Sequence, residues 1–288
     1  MPGTSPGPDR LLIINADDYG VTEPISLGIL KAVTAGSVSS VSCMTNTPAF
    51  ENTVEKIRDL DVDCGIHLNL NSGKPLSEPI KIPILKSNGN FISNPLSCPF
   101  FFFTAPLKWR QWVESEFKRQ IERLLSKKIK ITHLDSHYHI HVFPTLAPIV
   151  LKLADAYNIP FVRIPLEQDL WGNISSPSHG LISALAQRMA RSSHLPRCNF
   201  YGLREAGHID RSILEKIFQS LAPGVSELMV HPGYRSPENL HYYAEEPKHL
   251  EKELAAVTNP DLSAALKKYE IKLVRFRDLA DTRKQSPS

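Results

Sequence analysis

Two adjacent carboxylates, Asp17 and Asp18, stand just after a run of four aliphatic residues at positions 11–14. The run predicts a short buried strand, and burying an unpaired carboxylate is costly, so the pair needs a counter-charge. A bound metal ion is the simplest one. Histidines near the ends of two other predicted strands, His67 and His137, could supply further ligands.

The expected chemistry is that of a catalytic divalent ion, because neutral imidazole plus carboxylate, with open positions for water, is typical of such centres. We assign Asp18, His67 and His137 as the metal ligands. Adjacent residues of an extended strand point in opposite directions, which makes Asp17 the candidate base for a water molecule that the cation activates. Asn15 would share the face of Asp17 and support it.

Proton donation to a leaving group needs a further histidine. His231 follows a predicted strand and is our choice, with His139 and His141 as alternatives. The histidines from His133 to His141 alternate, so a strand would place them on one face, and they cannot all be ligands. Arg163, beside another strand end, could orient the base or bind substrate, and a structural salt bridge is equally open.

Each of these residues also has a structural alternative. Adjacent aspartates can cap a helix, and a lone histidine is more often a half-buried structural residue than a ligand. Four polar groups at four strand ends together favour a metal site, because the carboxyl ends of parallel strands lie on one face of the fold.

Those ends belong to a repeated alternation of strands and helices. The predicted strands fall near residues 11–14, 38–44, 62–70, 129–135, 161–164, 198–201, 225–230 and 271–276. The alternation indicates a single α/β domain over residues 11–280, with seven to eight parallel strands in a (β/α)-barrel-like arrangement. A doubly wound open sheet is the alternative. Residues 1–10 and 281–288 are expected to be flexible.

An irregular segment, residues 71–105, interrupts the alternation and is predicted to be an insertion or lid. Four consecutive phenylalanines at positions 100–103 lie within it. They either anchor the segment by burial or form an exposed patch for an apolar or lipid-linked partner.

The composition excludes several functional classes. The net charge of +3, without a basic block, disfavours nucleic-acid binding. Four widely spaced cysteines argue against a disulfide scaffold or a thiolate zinc site. No apolar stretch approaches the length of a membrane span, and the first ten residues lack the apolar core of a secretory signal. A cytoplasmic protein fits these features best.

Four motifs occur in order along nearly the whole chain. They are Asn-Ala-Asp-Asp-Tyr-Gly at 15–20, Gly-Ile-His-Leu at 65–68 with Gly-Lys-Pro-Leu at 73–76, His-Leu-Asp-Ser-His-Tyr-His-Ile-His at 133–141, and His-Pro-Gly-Tyr at 231–234. Together they resemble the YdjC-like carbohydrate deacetylases, which include chitooligosaccharide deacetylases and hopanoid-associated relatives. The resemblance implies a barrel-like, often dimeric enzyme that removes N-acetyl groups from amino sugars.

The resemblance also implies one divalent metal ion, commonly Mg²⁺ or Zn²⁺, at the positions matching Asp18, His67 and His137, with Asp17 as the base. Tyr19 stands where many relatives have phenylalanine. The candidate substrate contacts are Tyr19, His139, His141, Arg163 and Tyr234.

We therefore expect a metal-dependent hydrolase that removes the N-acetyl group from an amino sugar or an N-acetylated oligosaccharide, free or lipid-linked. We expect the enzyme to be a homodimer. A metal-dependent phosphoesterase could use similar ligands, but it would need a second metal ion or more basic residues. A non-catalytic carbohydrate-binding relative is the third alternative.

Overall fold

The computed structural model describes residues 9–92, 97–167, 177–242 and 249–279. In these ranges the chain forms one parallel sheet with helices in the connections. The strands are β1 (Arg10–Tyr19), β2 (Ser40–Cys43), β3 (Asp63–Leu68), β4 (Ile131–Ser136), β5 (Phe161–Val162), β6 (Asn199–Tyr201), β7 (Gly224–Val230) and β8 (Ile271–Leu273). The helices are α1 (Glu23–Thr34), α2 (Pro48–Arg58), α3 (Pro99–Thr104), α4 (Leu107–Ser126), α5 (Ala147–Ala156), α6 (Pro177–Ser192), α7 (Arg211–Ser220), α8 (Leu250–Val257) and α9 (Leu262–Lys268).

The sheet curls around its own interior. The strand order is β5-β4-β3-β2-β1-β7-β6, and every pair is parallel. β8 lies beside the first three residues of β1, whereas β2 pairs with β1 from Asn15 onwards. An isolated parallel bridge between Glu167 and Phe200 joins the segment after β5 to β6, so the two edges of the sheet meet. The predicted barrel-like α/β fold is confirmed.

The interior of the curled sheet changes from apolar to polar along the strands. Ile13, Phe161 and Phe276 belong to one buried apolar cluster. Two residues further along β1, Asn15 already donates hydrogen bonds to polar side chains. The functional groups therefore collect at the carboxyl ends of the strands, above an apolar base.

A glycine makes room for one polar group of this interior. A Cβ atom on Gly65 would lie 2.2 Å from Nε2 of His133, so no larger residue fits beside that imidazole. His133 stacks on Phe276, with ring centroids 4.3 Å apart, and its Nε2 lies 3.0 Å from the Ser42 hydroxyl. Burial lowers the pKa of His133 to about 4, so this imidazole is neutral at pH 7.

The predicted insertion at 71–105 packs on α4. Glu116 of that helix is fully buried and accepts the backbone N–H groups of Leu76 and Ser77, which ties the segment down. Residues 93–96 lie outside the described residues. An antiparallel bridge between Leu85 and Phe91 is the only strand-like pairing among the described residues of this insertion.

The phenylalanine run forms α3, in which two of the four rings are buried and two are exposed. Phe101 and Phe102 are buried in the main core, and their rings pack edge to face with centroids 5.1 Å apart. Phe100 and Phe103 are 64% and 38% exposed. The helix is therefore anchored by two rings while two others face solvent.

The alternation expected for residues 133–141 is wrong beyond Ser136. β4 ends there, and residues His137–Val142 form a 3₁₀ segment in which Tyr138 and His139 have φ angles of 54° and 53°. This left-handed pair turns the chain sharply, so the histidines do not share one face of a strand.

Two further expectations concern the ends and the surroundings of the domain. The predicted flexible termini, 1–10 and 281–288, fall outside the described residues except for Asp9 and Arg10, and Arg10 already begins β1. None of the helices in the described ranges combines the length and apolarity that crossing a bilayer requires. Cys43, Cys64, Cys98 and Cys198 form no disulfide bond in the described part of the chain.

Candidate metal centre and active site

The two aspartates stand at an irregular end of β1. The pairing of β1 with β2 shifts register between Ala16 and Tyr19, and Asp18 has a φ of 71°. A left-handed conformation is uncommon for residues other than glycine, although aspartate tolerates it better than most. Gly20 follows with a φ of 92°, and a Cβ atom there would lie 2.8 Å from the Met44 carbonyl oxygen. A local turn, rather than simple strand alternation, therefore separates the two carboxylates.

Asp18, His67 and His137 meet at this turn. Oδ1 of Asp18 lies 3.3 Å from Nε2 of His67 and 3.0 Å from Nδ1 of His137. One donor atom from each of the three residues lies within 4.8 Å of the others, and all three side chains are buried. Residues that are about 50 and 120 positions apart thus form a compact group of the types that bind a divalent cation.

The surroundings of His67 fit a ligand role. Its Nδ1 lies 2.7 Å from Oδ1 of Asp135, which leaves Nε2 directed at Asp18. A carboxylate behind the imidazole fixes the ring and raises its basicity, as is usual for metal-binding histidines. The donors present therefore suit a divalent ion.

The charges in the group support one another even without an ion. Burial disfavours an ionised Asp18, but the imidazoles of His137 and His67 hold the pKa of its carboxyl well below its ordinary value. Burial likewise disfavours a charged His67, yet Asp135 raises the pKa of that imidazole to about 10. A cation bound here must therefore replace the proton on His67.

A second group, Asp17, His67 and Asp135, also lies within 4.8 Å. It already has a cation, because the guanidinium of Arg163 lies 2.6 Å from Oδ2 of Asp17 and 2.8 Å from Oδ2 of Asp135. The group that contains Asp18 is therefore the better place for a metal ion.

Arg163 is the centre of a buried charge network. Its Nη1 and Nη2 donate to the two oxygens of Asp17 at 2.6 and 2.8 Å, and its Nε donates to Glu227 at 2.7 Å. Its side chain is 1% exposed. Of the alternatives for this residue, orientation of Asp17 agrees with these contacts. A substrate contact does not, because the guanidinium is buried among carboxylates.

Asp17 also accepts a hydrogen bond from Asn15, 2.7 Å from Nδ2 to Oδ1. Asn15 was expected to support Asp17, and the structure shows how. Glu227, which sequence reasoning missed, lies on β7 behind Arg163. Burial raises the pKa of Glu227 to about 7, although Arg163 acts in the opposite direction.

Two of the expected substrate contacts are structural residues instead. Tyr19 is completely buried in the main core, and its hydroxyl donates to the carbonyl of Thr53 at 2.7 Å. His141 is also completely buried, with Nδ1 2.6 Å from the Ser136 hydroxyl and Nε2 2.8 Å from the Arg163 carbonyl oxygen. Both ring nitrogens of His141 are therefore engaged within the protein.

His139 is buried beside Phe200, with ring centroids 5.9 Å apart. Burial, reinforced by the charge of Arg163, lowers the pKa of His139 well below its ordinary value, which makes it a poor proton donor. Tyr234, by contrast, is 36% exposed, with the Lys31 ammonium 6.0 Å from its ring. It is open to a ligand.

Tyr138 is a residue near the centre that sequence reasoning missed. It is 48% exposed, and its ring lies 4.5 Å from that of His137. The exposed ring results from the left-handed turn at Tyr138, which no feature of the sequence indicated.

His231 follows β7 and has neighbours of its own. Its backbone N–H donates to Oε2 of Glu253 at 2.6 Å, and its ring lies edge to face with His249, 6.1 Å between centroids. Burial lowers the pKa of His249, and the charge of Asp18 acts in the opposite direction. Sequence reasoning missed Glu253 and His249 because they come from α8 and its N-cap rather than from a strand end.

Comparison with known proteins finds relatives that match nearly the whole chain. A carbohydrate deacetylase from Brevibacillus brevis is 31% identical over 272 residues, covering 93% of this chain and 99% of the relative. A carbohydrate deacetylase from Homo sapiens is 27% identical over 311 residues, covering 96% of this chain and 93% of the relative. A solved structure from Enterococcus faecalis, whose proposed activity is cellobiose-phosphate cleavage, shares the fold with a TM-score of 0.69 and 21% identity, covering 94% of this chain and 99% of that one. Residues 11–268 match the family described as YdjC-like protein, and the chain therefore belongs to the YdjC-like family.

Proposed function

We propose that this protein is a metal-dependent carbohydrate deacetylase that hydrolyses the N-acetyl group of an amino sugar or an N-acetylated oligosaccharide. The observation that carries the proposal is the convergence of Asp18, His67 and His137 beside Asp17, a carboxylate held by Arg163. Relatives named carbohydrate deacetylases, matched over nearly their whole length, supply the substrate class.

Asp17 is suited to accept a proton from water. Three hydrogen bonds from Arg163 and Asn15 fix the plane of its carboxylate. In the part of the chain that the structure describes, Oδ2 accepts a single hydrogen bond, from Arg163, so it keeps a lone pair for a further donor. The same contacts keep the carboxylate of Asp17 oriented before substrate arrives.

Asp18, His67 and His137 would hold the ion, which we expect to be Mg²⁺ or Zn²⁺. A divalent cation bound there supplies Lewis acidity, which polarises an acetyl carbonyl and lowers the pKa of water. Asp135 keeps Nε2 of His67 turned towards Asp18 throughout.

The reaction needs two proton transfers by the chain. A water oxygen forms a bond to the acetyl carbon while Asp17 takes a proton from that water, and the electron pair of the carbonyl π bond moves to the carbonyl oxygen. This pair re-forms the C=O bond as the C–N bond breaks, the C–N electron pair remains on the sugar nitrogen, and this nitrogen receives a proton from His231. Asp17 then gives up its proton to solvent, and His231 takes one from solvent. The products are acetate and a free amino sugar.

Two partly exposed aromatic rings are suited to a sugar. Tyr138 is 48% exposed beside His137, and Tyr234 is 36% exposed three residues after His231. Aromatic rings pack well on the apolar side of a pyranose ring. We therefore propose these two tyrosines as substrate contacts. Tyr138 takes the place that Tyr19, His141 and Arg163 were expected to fill.

The phosphoesterase alternative is less well supported. It would need a second cation next to the first or several free basic groups for phosphate charge. The neighbouring carboxylate–histidine group is already neutralised by Arg163, whose donors bond Asp17 and Glu227.

The test is acetate release from a panel of N-acetylated sugars, free and lipid-linked, followed by mass spectrometry for loss of one acetyl group. We expect activity that requires added Mg²⁺ or Zn²⁺ and disappears after chelation. Full activity after exhaustive chelation, or cleavage of a phosphate ester in preference to every acetylated sugar, would overturn the proposal. Three further properties stay predictions. Light scattering would check the homodimer, the same panel would check a lipid-linked substrate, and cell fractionation would check the cytoplasmic location.

A further inference from the structure

Glu253 is a buried carboxylate with no part in the mechanism so far. It lies on α8, is completely inaccessible to solvent, and accepts two backbone N–H groups from two different loops. Oε2 accepts the N–H of His231 at 2.6 Å, just after β7, and Oε1 accepts the N–H of Gly207 at 3.1 Å. The carboxylate thereby fixes the backbone at the position of the proton donor.

The same oxygen faces the imidazole of that residue. Oε2 of Glu253 lies 3.9 Å from Nδ1 of His231. This Nδ1 is buried and has no hydrogen-bond partner among the described residues. A proton on Nδ1 is attracted by the carboxylate, and Nε2 is then the nitrogen left to exchange a proton with a ligand.

We infer that Glu253 is the positioning residue of His231: it fixes the backbone of His231 and favours a proton on Nδ1, so that Nε2 serves the leaving amine. The inference rests on the proposed deacetylase function. It adds a helix, α8, to a site otherwise built from strand ends.

The charged groups around the pair are compatible with this role. The groups facing it are Glu253 and His249 from α8, His208 from the segment before α7, and Asp18 from β1. Burial lowers the pKa of His249 to about 4, and the charge of His231 acts in the same direction. His249 is therefore neutral at pH 7. Burial raises the pKa of Glu253, whereas the charge of His231 and the two backbone N–H groups lower it, and this carboxyl lies 3.9 Å from Nδ1 of His231.

The proton transfer is balanced. Doubly protonated His231 gives the proton on Nε2 to the sugar nitrogen as the C–N bond breaks, and the electron pair of that bond becomes the nitrogen lone pair that accepts it. Neutral His231 remains, with its proton on Nδ1 towards Glu253. A proton from solvent restores Nε2 for the next turnover.

The test compares two leaving groups in the full-length protein and its Glu253→Gln variant, with metal added. An amine leaves only when protonated, whereas the phenolate of p-nitrophenyl acetate leaves without a proton. We expect kcat on an N-acetylated sugar to fall about 10- to 100-fold in Glu253→Gln. Hydrolysis of p-nitrophenyl acetate and metal content should stay within about two-fold of wild type. Glu251→Gln, an exposed change on the same helix, is the matched control and should alter neither reaction.

Equal loss of both reactions in Glu253→Gln would overturn the inference, because it would show a merely structural role. Unchanged turnover of the sugar would overturn it too. A second measurement does not depend on turnover: the tautomer of His231, from two-bond ¹H–¹⁵N correlation spectra with His231→Gln used for assignment. We expect the Nδ1-protonated form to dominate in wild type and to decline in Glu253→Gln, and an unchanged tautomer would contradict us. If wild type deacetylates no sugar, the proposed function fails, and the tautomer alone decides the role of Glu253.

Discussion

Replacing Arg163 with methionine should destabilise the fold sharply, because this arginine is the cation of a buried network. The substitution preserves much of the aliphatic volume and removes the guanidinium. Asp17, Asp135 and Glu227 then lose the donors that lie 2.6–2.8 Å from their oxygens. All three carboxylates are inaccessible or nearly so, and water cannot replace those donors without opening the sheet.

The size of the stability loss depends on which of the three carboxylates can take up a proton when Arg163 is absent. Removing one partner of a buried ion pair costs about 3–5 kcal/mol. Burial already raises the pKa of Glu227 to about 7 while Arg163 lowers it, so without Arg163 this residue takes up a proton at neutral pH. That protonation removes one charge, and we expect a loss of about 3 kcal/mol in the free energy of unfolding at pH 7.

The sign of the pH dependence is fixed by Glu227. A carboxyl whose pKa is higher in the folded than in the unfolded protein loses stability as the pH rises. Without Arg163 its folded pKa rises further, so the destabilisation by Arg163→Met should grow between pH 6 and pH 8.

The assay is urea unfolding followed by circular dichroism at several pH values, for wild type, Arg163→Met, Glu227→Gln and the double variant. Glutamine stands in for protonated Glu227, so it should cost less when Arg163 is absent. The two changes should be non-additive by about 1–2 kcal/mol. A loss below about 1 kcal/mol for Arg163→Met, or additive changes, would refute the network as described.

Four further outcomes test separate parts of the structure. Asp17→Asn should lower turnover by about 100-fold or more while metal content, measured by mass spectrometry, is retained. His137→Ala should lose the metal itself. Burial lowers the pKa of His141 to about 4, against 6.5 for a free imidazole. Lowering the pH from 8 to 5 should therefore reduce the free energy of unfolding by about 2 kcal/mol through this residue. The variant His141→Gln should lack that part of the acid sensitivity. Phe101→Ala should cost about 3–5 kcal/mol, and the exposed Phe100→Ala less than about 0.5 kcal/mol, in the same urea assay.

Each of these has a contrary result. Wild-type turnover in Asp17→Asn would remove the base assignment, and full metal content in His137→Ala would remove the ligand assignment. Equal acid sensitivity of wild type and His141→Gln would show that His141 is not held neutral. Equal effects at Phe100 and Phe101 would contradict the orientation of α3.

The positions of His67 and Asp18 could be predicted from the sequence for a geometric reason. Parallel strands that alternate with helices have their carboxyl ends on one face, so polar residues after distant strands converge whatever their separation in the chain. The strands themselves are marked by aliphatic and β-branched runs. Fold class and the main polar group therefore follow from periodicity.

Strand alternation predicted that Asp17 and Asp18 point in opposite directions and have different roles. In the structure, the left-handed backbone conformation of Asp18 separates the two side chains. A φ of 71° at Asp18 leaves no mark in the sequence beyond the nearby Gly20. The segment His137–Val142 alternates like a strand but turns at Tyr138 and His139, because local backbone geometry competes with side-chain period. Sequence pattern alone could not decide between those two conformations.

Residues that reach the site from a helix could not be predicted either. Glu253 and His249 lie on or next to α8, and their approach to β7 depends on how that helix packs. The burial of Tyr19 and of Arg163 is likewise a property of tertiary packing. No local pattern distinguishes such residues from ordinary surface or core positions.

The pairing of β1 has a consequence for how the chain folds during synthesis. β1 is the first strand to leave the ribosome, yet it pairs with β7 from Arg10 to Ala16, and β7 follows roughly 200 residues later. At translation rates of about 5–20 residues per second, this aliphatic strand waits on the order of 10–40 s for its partner. β8, which covers the remaining edge at Arg10–Leu12, arrives later still. Until β7 emerges, the nascent chain therefore carries an unpaired apolar strand edge.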